Sequence, residues 1–508
     1  MIVLKSLAFF FGNVFSIVTD PFRLALLFGC TLLGIVFGAL PGLTATLGVA
    51  LLTTLTYGMK TQQALTALLA IYVGAIYGGS YGSIMINIPG TAAAAATALD
   101  GYPLARKGEA GAALGLTTTA SAIGTFIGMV FVVVFTPLIS FLALQFTSFE
   151  FFLLAFFGIL ISGSISTPDV VQKGWLAGFL GLFLAVVGRD GLQFYPRFTL
   201  GFHQLEAGIE VIPVLIGAFG IPQIIQVLKD RFNVAEAQKV EKILPSWGMV
   251  IRNIPHIARS ALIGVGIGAV PGIGEDIAAW VSYGTAKNTS RTPEKFGQGA
   301  YEGIIASETA NNACIGGAMI PLLSLGIPGS PPAAMLLGAL LLHGIAPGPM
   351  LQVVQPTFVL EVTAILLMAA VAMYIIGILL AKQVIKLLRV PPALFMPVVA
   401  VLCLIGSYAL GMKVFNLWLM VPVGILTYYF TEMGYPVPPL VIGVILGPMA
   451  DENLRRALMV SQGSLVPFFT RPVSLILLVI IILTVVTSTR TYKNFREKRK
   501  ALKAGKTT

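Results

Sequence analysis

The stretch INIPGTAAAAATALDG, residues 86–101, sits where an apolar helix is expected to run on, yet it halts at Pro89-Gly90 and restarts as a run of alanines. LGIPGSPPAAMLLGAL, residues 325–340, does the same. Proline lacks an N–H and clashes with the preceding turn, so Ile88-Pro89 and Ile327-Pro328 end whatever helix precedes them. Gly90 and Gly329 then permit backbone geometry closed to other residues. Thr91 and Ser330 follow, both favoured as N-caps. Alanines restart one helix; Pro331 stands at the first position of the other, where proline is tolerated best. Each break reads as stop, turn, cap and restart. Its product is a helix N-terminus with unpaired N–H groups and positive dipole character, suited to a carboxylate or phosphate. Two such ends approaching from opposite faces would grip a molecule with two or more carboxylates. The candidate substrate-binding residues are Asn87, Pro89, Gly90, Thr91, Pro328, Gly329 and Ser330. The competing reading of either break alone is a proline kink filled by neighbouring helices.

The surroundings decide the class. The chain has 508 residues, of which 56% are hydrophobic and only 10% charged, against about 25% charged in soluble domains. Apolar stretches near the bilayer-crossing length of about 20 residues recur from Leu24 to Val486. The ten-residue alternation of a membrane barrel is absent. The expected fold is therefore an all-α polytopic membrane protein of roughly ten to twelve crossings, placed by hydropathy. The candidates span 22–40, 65–85, 111–135, 149–164, 175–188, 207–228, 252–270, 356–380, 393–410, 414–431 and 472–487. The net charge of +11 gathers in short connections and in the tail RTYKNFREKRKALKAGK, as expected of cytoplasmic loops. No basic patch interleaved with aromatics argues for nucleic acid. Cys30, Cys314 and Cys403 lie in apolar or small-residue surroundings, without a disulfide framework or metal-ligand spacing. The N-terminus carries one lysine and an apolar patch but no A-x-A-like site, and reads as a retained membrane segment.

The two halves resemble each other. GALPGLTATLG (38–48) matches GAVPGIGEDIA (268–278) at an offset of 230, and NIPGT (87–91) matches GIPGS (326–330) at an offset of 239. The longer loop GTAKNTSRTPEKFGQGAYE supplies the difference. Glycine patches precede both breaks, YGGSYGS in one half and CIGGAMI in the other. Two like-ordered motif pairs indicate internal duplication. The expected organisation is a first membrane repeat over 1–228, a polar cytoplasmic linker over 229–247, a second repeat over 248–471, and an extra helix with a basic tail over 472–508. Lys60 alone precedes the first break, and Arg106 and Lys107 follow it. Lys287, Arg291 and Lys295 precede the second, and LLHGIAPGPM, without Lys or Arg, follows. With basic loops cytoplasmic, the repeats are inverted. Inverted repeats with interrupted segments at matching positions point to a secondary transporter with its binding site near the midplane.

Asn87, Asn311 and Asn312 are amides that a membrane interior tolerates only with partners. Amide, hydroxyl and freed backbone oxygens suit a bare sodium ion, so Ser80, Ser83, Asn311 and Asn312 are the candidate cation-binding residues; hydrogen bonding between close-packed helices is the alternative. Glu275-Asp276 would serve a coupling cation or proton, or lie at the interface. Glu308 precedes the Asn pair by one turn and would support it. No catalytic constellation is persuasive: Ser80 and Ser83 superficially suggest an intramembrane hydrolase, but His203, His256 and His343 fall in or beside loops. A Walker motif is absent, so the chain does not hydrolyse nucleotide by itself. The expectation is no enzyme, no cofactor and no transition metal, with energy drawn from an ion gradient or from a separate ATPase.

Five segments carry a family resemblance: GALPGLTATLGVALL (38–52), YVGAIYGGSYGSIMINIPGTAAAAATALDGYPLARKGEAGAALG (72–115), PRFTLGFHQLEAGIEVIPVLIGAFGIPQII (196–225), SETANNACIGGAMIPLLSLGIPGSPPAAMLLGAL (307–340) and LGPMADENLRRALMVSQGSLVPFFTRPVS (446–474). In this order they resemble the large membrane subunit of tripartite tricarboxylate transporters. The resemblance implies a bacterial inner-membrane permease working with a small membrane subunit and a periplasmic solute-binding protein. It implies cation-coupled uptake, usually with sodium, of citrate or related carboxylates. The chain departs from the family pattern at Pro331-Pro332 and at Tyr81-Gly82, which puts tricarboxylate specificity in question. An uncoupled carboxylate channel or exporter, and a non-transporting assembly subunit, are the competing functions.

Overall fold

Long apolar runs punctuated by small residues fold almost wholly into helices; a two-stranded antiparallel hairpin pairing Gly188 with Arg197 is the exception among the described residues. The computed structural model describes residues 2–167, 170–230, 243, 247–409 and 411–489. Most of the polar linker and the basic tail expected from the sequence lie outside the described residues. The chain is an all-α polytopic membrane protein, with 8 helices long and apolar enough to cross a membrane among the described residues. Expected crossings at 175–188, 252–270 and 472–487 form the shorter apolar helices Val171–Ala185, Ile254–Gly268 and Pro472–Ser488. On the Ala110–Ala143 helix, Phe126, Val130, Val134 and Leu138 are exposed at four-residue spacing. That is the periodicity of one helix face, and an apolar face left open suits lipid.

Two long helices escaped the hydropathy reading, Tyr301–Leu325 and Val437–Val460. Tyr301–Leu325 is buried along nearly its whole length and carries Ser307, Glu308, Asn311 and Asn312 within it. Those polar residues depress its hydropathy, although its partner at the 239-residue offset, Thr61–Ile86, is equally enclosed.

The chain forms two compact units, Met1–Leu144 with Leu215–Ile425, and Gln145–Val214 with Leu426–Thr508. Each unit takes a piece of either half of the sequence, so the contact boundaries cut across the motif-based halves.

In the first unit the duplication is visible contact by contact. Helices Pro21–Ala39 and Ile254–Gly268 pack against Thr61–Ile86 and Tyr301–Leu325 respectively. Both crossings rest on glycine. A Cβ at Gly38 would lie 2.1 Å from the Ala75 carbonyl oxygen, and one at Gly268 would lie 2.5 Å from that of Cys314. The next long helix beyond each restart then packs on the other repeat: Ala110–Ala143 on Tyr301–Leu325, and Phe358–Leu379 on Thr61–Ile86. The exchange interlocks the repeats.

The second unit holds Ser148–Ser166, Val171–Ala185, Val437–Val460 and Pro472–Ser488. Thr147 and Glu150 form a capping box at the start of Ser148–Ser166, and Arg471 Nε donates to Glu150 at 2.8 Å. The hairpin is pinned by paired charges. Arg197 binds both oxygens of Asp451 at 3.1 and 2.9 Å, and Arg455 binds both oxygens of Asp190. The Arg455 guanidinium holds the Asp190 carboxyl down at about 2. Such forked pairs fix geometry as well as charge.

Candidate functional site

The first unit carries both breaks, and their backbones match. Thr61–Ile86 ends on Asn87 with φ 56°, and Tyr301–Leu325 ends on Gly326 with φ 73°. A left-handed residue here lets the next N–H groups bond back to the last carbonyls: Ile88 N reaches Gly82 O at 3.3 Å, and Ile327 N reaches Pro321 O at 3.2 Å. Each chain then passes so close to its own repeat's first helix that only glycine fits. A Cβ at Gly90 would stand 1.8 Å from the Gly38 carbonyl oxygen, and one at Gly329 would stand 2.0 Å from that of Gly268. The glycine patch before the first break has the same purpose, since a Cβ at Gly79 would strike the Thr91 hydroxyl at 2.3 Å.

The caps differ, and this corrects one expectation. Ser330 caps Pro331–Leu342, its Oγ accepting from Ala333 N at 3.3 Å. Thr91 does not cap with its side chain. The first turn after it, Ala92–Ala94, is a 3-10 turn in which Ala94 N is taken by the Thr91 carbonyl at 3.1 Å. The Ala93 N–H faces the Asp276 carboxylate. Thr91 Oγ1 is left buried without a hydrogen-bond partner.

The restart helices are also less bare than the sequence suggests. Helix Gly274–Thr289, which follows the second PGIG turn, brings an acid to each break. Asp276 faces the first restart. Glu275 is bound by the Tyr72 hydroxyl, which also lies 2.8 Å from Ser330 Oγ. Asn87, Ala92 and Asp276 are exposed and Pro89 is partly so, whereas Gly90, Thr91, Pro328, Gly329 and Ser330 are buried. The accessible edge therefore belongs to the first break.

The expected cation residues divide. Ser83 Oγ donates to the Ala94 carbonyl at 2.7 Å, bracing the two arms of the first break. Ser80 donates to Glu308 Oε1 at 2.6 Å. Thr97 donates to the same oxygen, and Ser121 donates to Oε2 at 2.9 Å. Asn312 Nδ2 bonds the Glu308 carbonyl at 3.1 Å and Asn311 Oδ1 at 2.7 Å, and Thr125 Oγ1 reaches Asn312 Oδ1 at 3.4 Å. Glu308, cast from the sequence as a support for the Asn pair, is the centre. Thr97 and Ser121 carry no mark in the sequence, and only their closeness to Glu308 in space gives them meaning.

A further acid is structural. Asp100 Oδ1 accepts from the backbone N–H groups of Gly297, Gly299 and Ala300 at 2.8, 2.9 and 2.8 Å. Tyr283 donates to its other oxygen at 2.9 Å. The end of the first restart helix thereby fixes the entry to Tyr301–Leu325. Among the described residues no group of three or more His, Cys, Asp or Glu converges as a metal site. The Ser80 and Ser83 hydroxyls are engaged as above, and His203 is bound to Glu206 in the second unit.

Fold and site define a multi-pass helical membrane protein whose core is a duplicated pair of broken helices. A family model described as the tripartite tricarboxylate transporter TctA family matches residues 24–442. The chain belongs to that family, which is one of transporters rather than enzymes. It is 34% identical over 468 residues, 91% of this chain and 92% of the other, to an uncharacterized 52.8 kDa protein in the TAR-I ttuC' 3'region of Agrobacterium vitis. It is 36% identical over 212 residues, 42% of this chain and 88% of the other, to an uncharacterized protein in the TAR-II ttuC' 3'region of the same organism. No solved structure matches.

Proposed function

We propose that this chain is the large permease subunit of a binding-protein-dependent secondary transporter in a bacterial inner membrane. It imports citrate or a related di- or tricarboxylate, coupled to sodium or protons by alternating access. Its partners are a small membrane subunit and a periplasmic solute-binding protein that delivers the anion. Substrate binds between the two breaks, at Asn87, Pro89, Gly90, Thr91, Pro328, Gly329 and Ser330.

The observation that carries this reading is the duplicated break, with matching left-handed caps at Asn87 and Gly326 and a helix restarting from each. Helix N-termini of this kind favour anions. The interlocked exchange of helices between repeats supports a two-fold relation, and the flipped order of basic loops supports an inverted one. The acids beside the restarts sharpen the chemistry. An incoming carboxylate meets Asp276 at the first break, so its entry requires a positive charge to arrive with it.

Proteoliposomes containing this chain, the small subunit and a loaded binding protein should accumulate the carboxylate only under an inward cation gradient. Accumulation that persists after every ion gradient is collapsed would overturn the coupled reading. Equilibration without accumulation would mark a channel.

A further inference from the structure

We propose that Glu308 is the centre of a sodium site whose other ligands are the Ser80, Thr97 and Ser121 hydroxyls. Its role in coupling rests on the permease reading above; the binding of the ion does not.

Four helical segments meet at this carboxylate. Ser80 comes from the helix entering the first break, Thr97 from the helix leaving it, Ser121 from Ala110–Ala143, and Glu308 from the second repeat. All four side chains are fully buried. The oxygens converge within hydrogen-bond distance, at 2.6 Å for Ser80 and 2.9 Å for Ser121. Among the described residues no Lys, Arg or His offsets the charge; the groups acting on the Glu308 carboxyl are Ser80, Thr97, Ser121 and Asn311. A buried carboxylate without a counter-charge is costly, and either a proton or a bound cation would balance it.

Two further observations point to a ligand. Asn311 is fully buried and turned toward Glu308, yet its Nδ2 stops short of hydrogen-bonding geometry to the carboxylate or to any other acceptor. The shell around the carboxylate is thus one bond short. The fold also does not need the acid: at the 239-residue offset, Glu308 corresponds to Leu69 and Asn311 to Tyr72, on a helix packed just as tightly. The carboxylate is an addition to a scaffold that forms without it.

The donor set selects the ion. Carboxylate and hydroxyl oxygens are hard ligands, suited to cations held by oxygen alone. One negative charge matches one positive charge, so a monovalent cation balances the site where a divalent one would leave it positive. A proton would occupy a single lone pair, whereas three converging hydroxyl oxygens add the further ligands that a larger cation takes. With the ion in place, Thr97 has Ser307 Oγ at 2.9 Å as an alternative hydrogen-bond partner, and Asn311 is placed to donate to the carboxylate. The ion would clamp both arms of the first break to the second repeat, which links its binding to the geometry of the substrate site. Of the four cation residues expected from the sequence, Ser80 is a ligand, Asn311 a donor to Glu308, Asn312 a brace for Asn311, and Ser83 lies apart.

The test uses the purified full chain in detergent, melted across a sodium chloride series with choline chloride holding ionic strength constant. The wild type should gain thermal stability saturably with sodium and not with potassium. Glu308→Gln should melt independently of sodium. Ser121→Ala, a mild change should the first variant fail to fold, should move the sodium midpoint up by roughly tenfold, the loss of one ligand. A wild-type midpoint in both variants would overturn the site. A wild type indifferent to sodium, but with a pH-dependent melt that Glu308→Gln removes, would replace the ion with a proton and overturn the proposal. No substrate, partner or liposome enters the assay, so a failure of carboxylate transport would be seen separately.

Discussion

The two breaks share a backbone and differ in chemistry. Gly90 and Gly329 meet the same carbonyl of their own repeat, Gly38 and Gly268, and Pro41-Gly42 and Pro271-Gly272 turn with φ of 85° and 75° at the glycine. The polar groups are distributed otherwise. Where the second repeat has Glu275, Asp276, Glu308 and Asn311, the first has Ala45, Thr46, Leu69 and Tyr72. The second repeat supplies the acids, and the first answers with hydroxyls from Tyr72, Ser80 and Thr97. Duplication built the frame, and divergence between the copies placed the charges. A symmetric pair of anion-binding helix ends would hold an anion equally at both. This pair offers an open first break watched by Asp276 and a closed second break tied through Ser330 to Tyr72 and Glu275.

The shared frame is where the largest effects belong. Gly90→Ala and Gly329→Ala each push a methyl to within 2.0 Å of a backbone carbonyl oxygen, at 1.8 and 2.0 Å. Backbone cannot swing aside as a flexible side chain can, so each should cost about 3 kcal/mol or more, seen as loss of folded yield or a collapsed melting temperature. Gly266→Ala and Gly284→Ala are the controls, since a Cβ there meets nothing within 4 Å, and each should be neutral or slightly stabilising. Equal damage at Gly90 and Gly329 would uphold the common frame. Tolerance at one alone would show that the repeats no longer share it.

Asp100 breaks the symmetry at the next level, because its counterpart at the 239-residue offset is Ala339. Asp100→Asn keeps the size but loses the charge that draws three backbone N–H groups onto one oxygen. Its cost should be about 2–3 kcal/mol, read by thermal melting. Protease sensitivity should rise in the 293–300 loop that these bonds hold. Cleavage elsewhere with that loop intact would argue against the clamp.

The frame was largely legible in the sequence because its determinants are local. Proline, glycine and a hydroxyl in fixed order specify a break wherever they fall, and the matching offsets expose the duplication. Tyr301–Leu325 was missed by hydropathy because Glu308, Asn311 and Asn312 lie within it; the 239-residue offset from Thr61–Ile86 was the signal that would have found it. The chemistry was less legible, since it is assembled across repeats. Thr97 and Ser121 look like any helical Ser or Thr, whose hydroxyl commonly bonds its own helix, as Thr118, Thr119 and Thr125 do. Nothing near Glu308 in the sequence marks them as its partners. Nor does the NIPGT motif show that Asp276, far along the chain, faces the first restart.

The smallest effect is the sharpest test, because the two breaks should respond with opposite sign. Ser330 Oγ accepts from Ala333 N and touches the Tyr72 hydroxyl, so Ser330→Ala should destabilise by about 1 kcal/mol, the ordinary value of a cap. Thr91 Oγ1 is buried with no partner, and such an atom costs about 1–3 kcal/mol in desolvation. Thr91→Val, which replaces the hydroxyl by a methyl of similar size, should leave the melting temperature unchanged or raise it. A stabilised Thr91→Val that also binds carboxylate more weakly would mean that the hydroxyl is kept at a cost to stability because it serves the ligand. A destabilised Thr91→Val would mean that the hydroxyl is satisfied within the folded protein, and the contrast between the two caps would disappear.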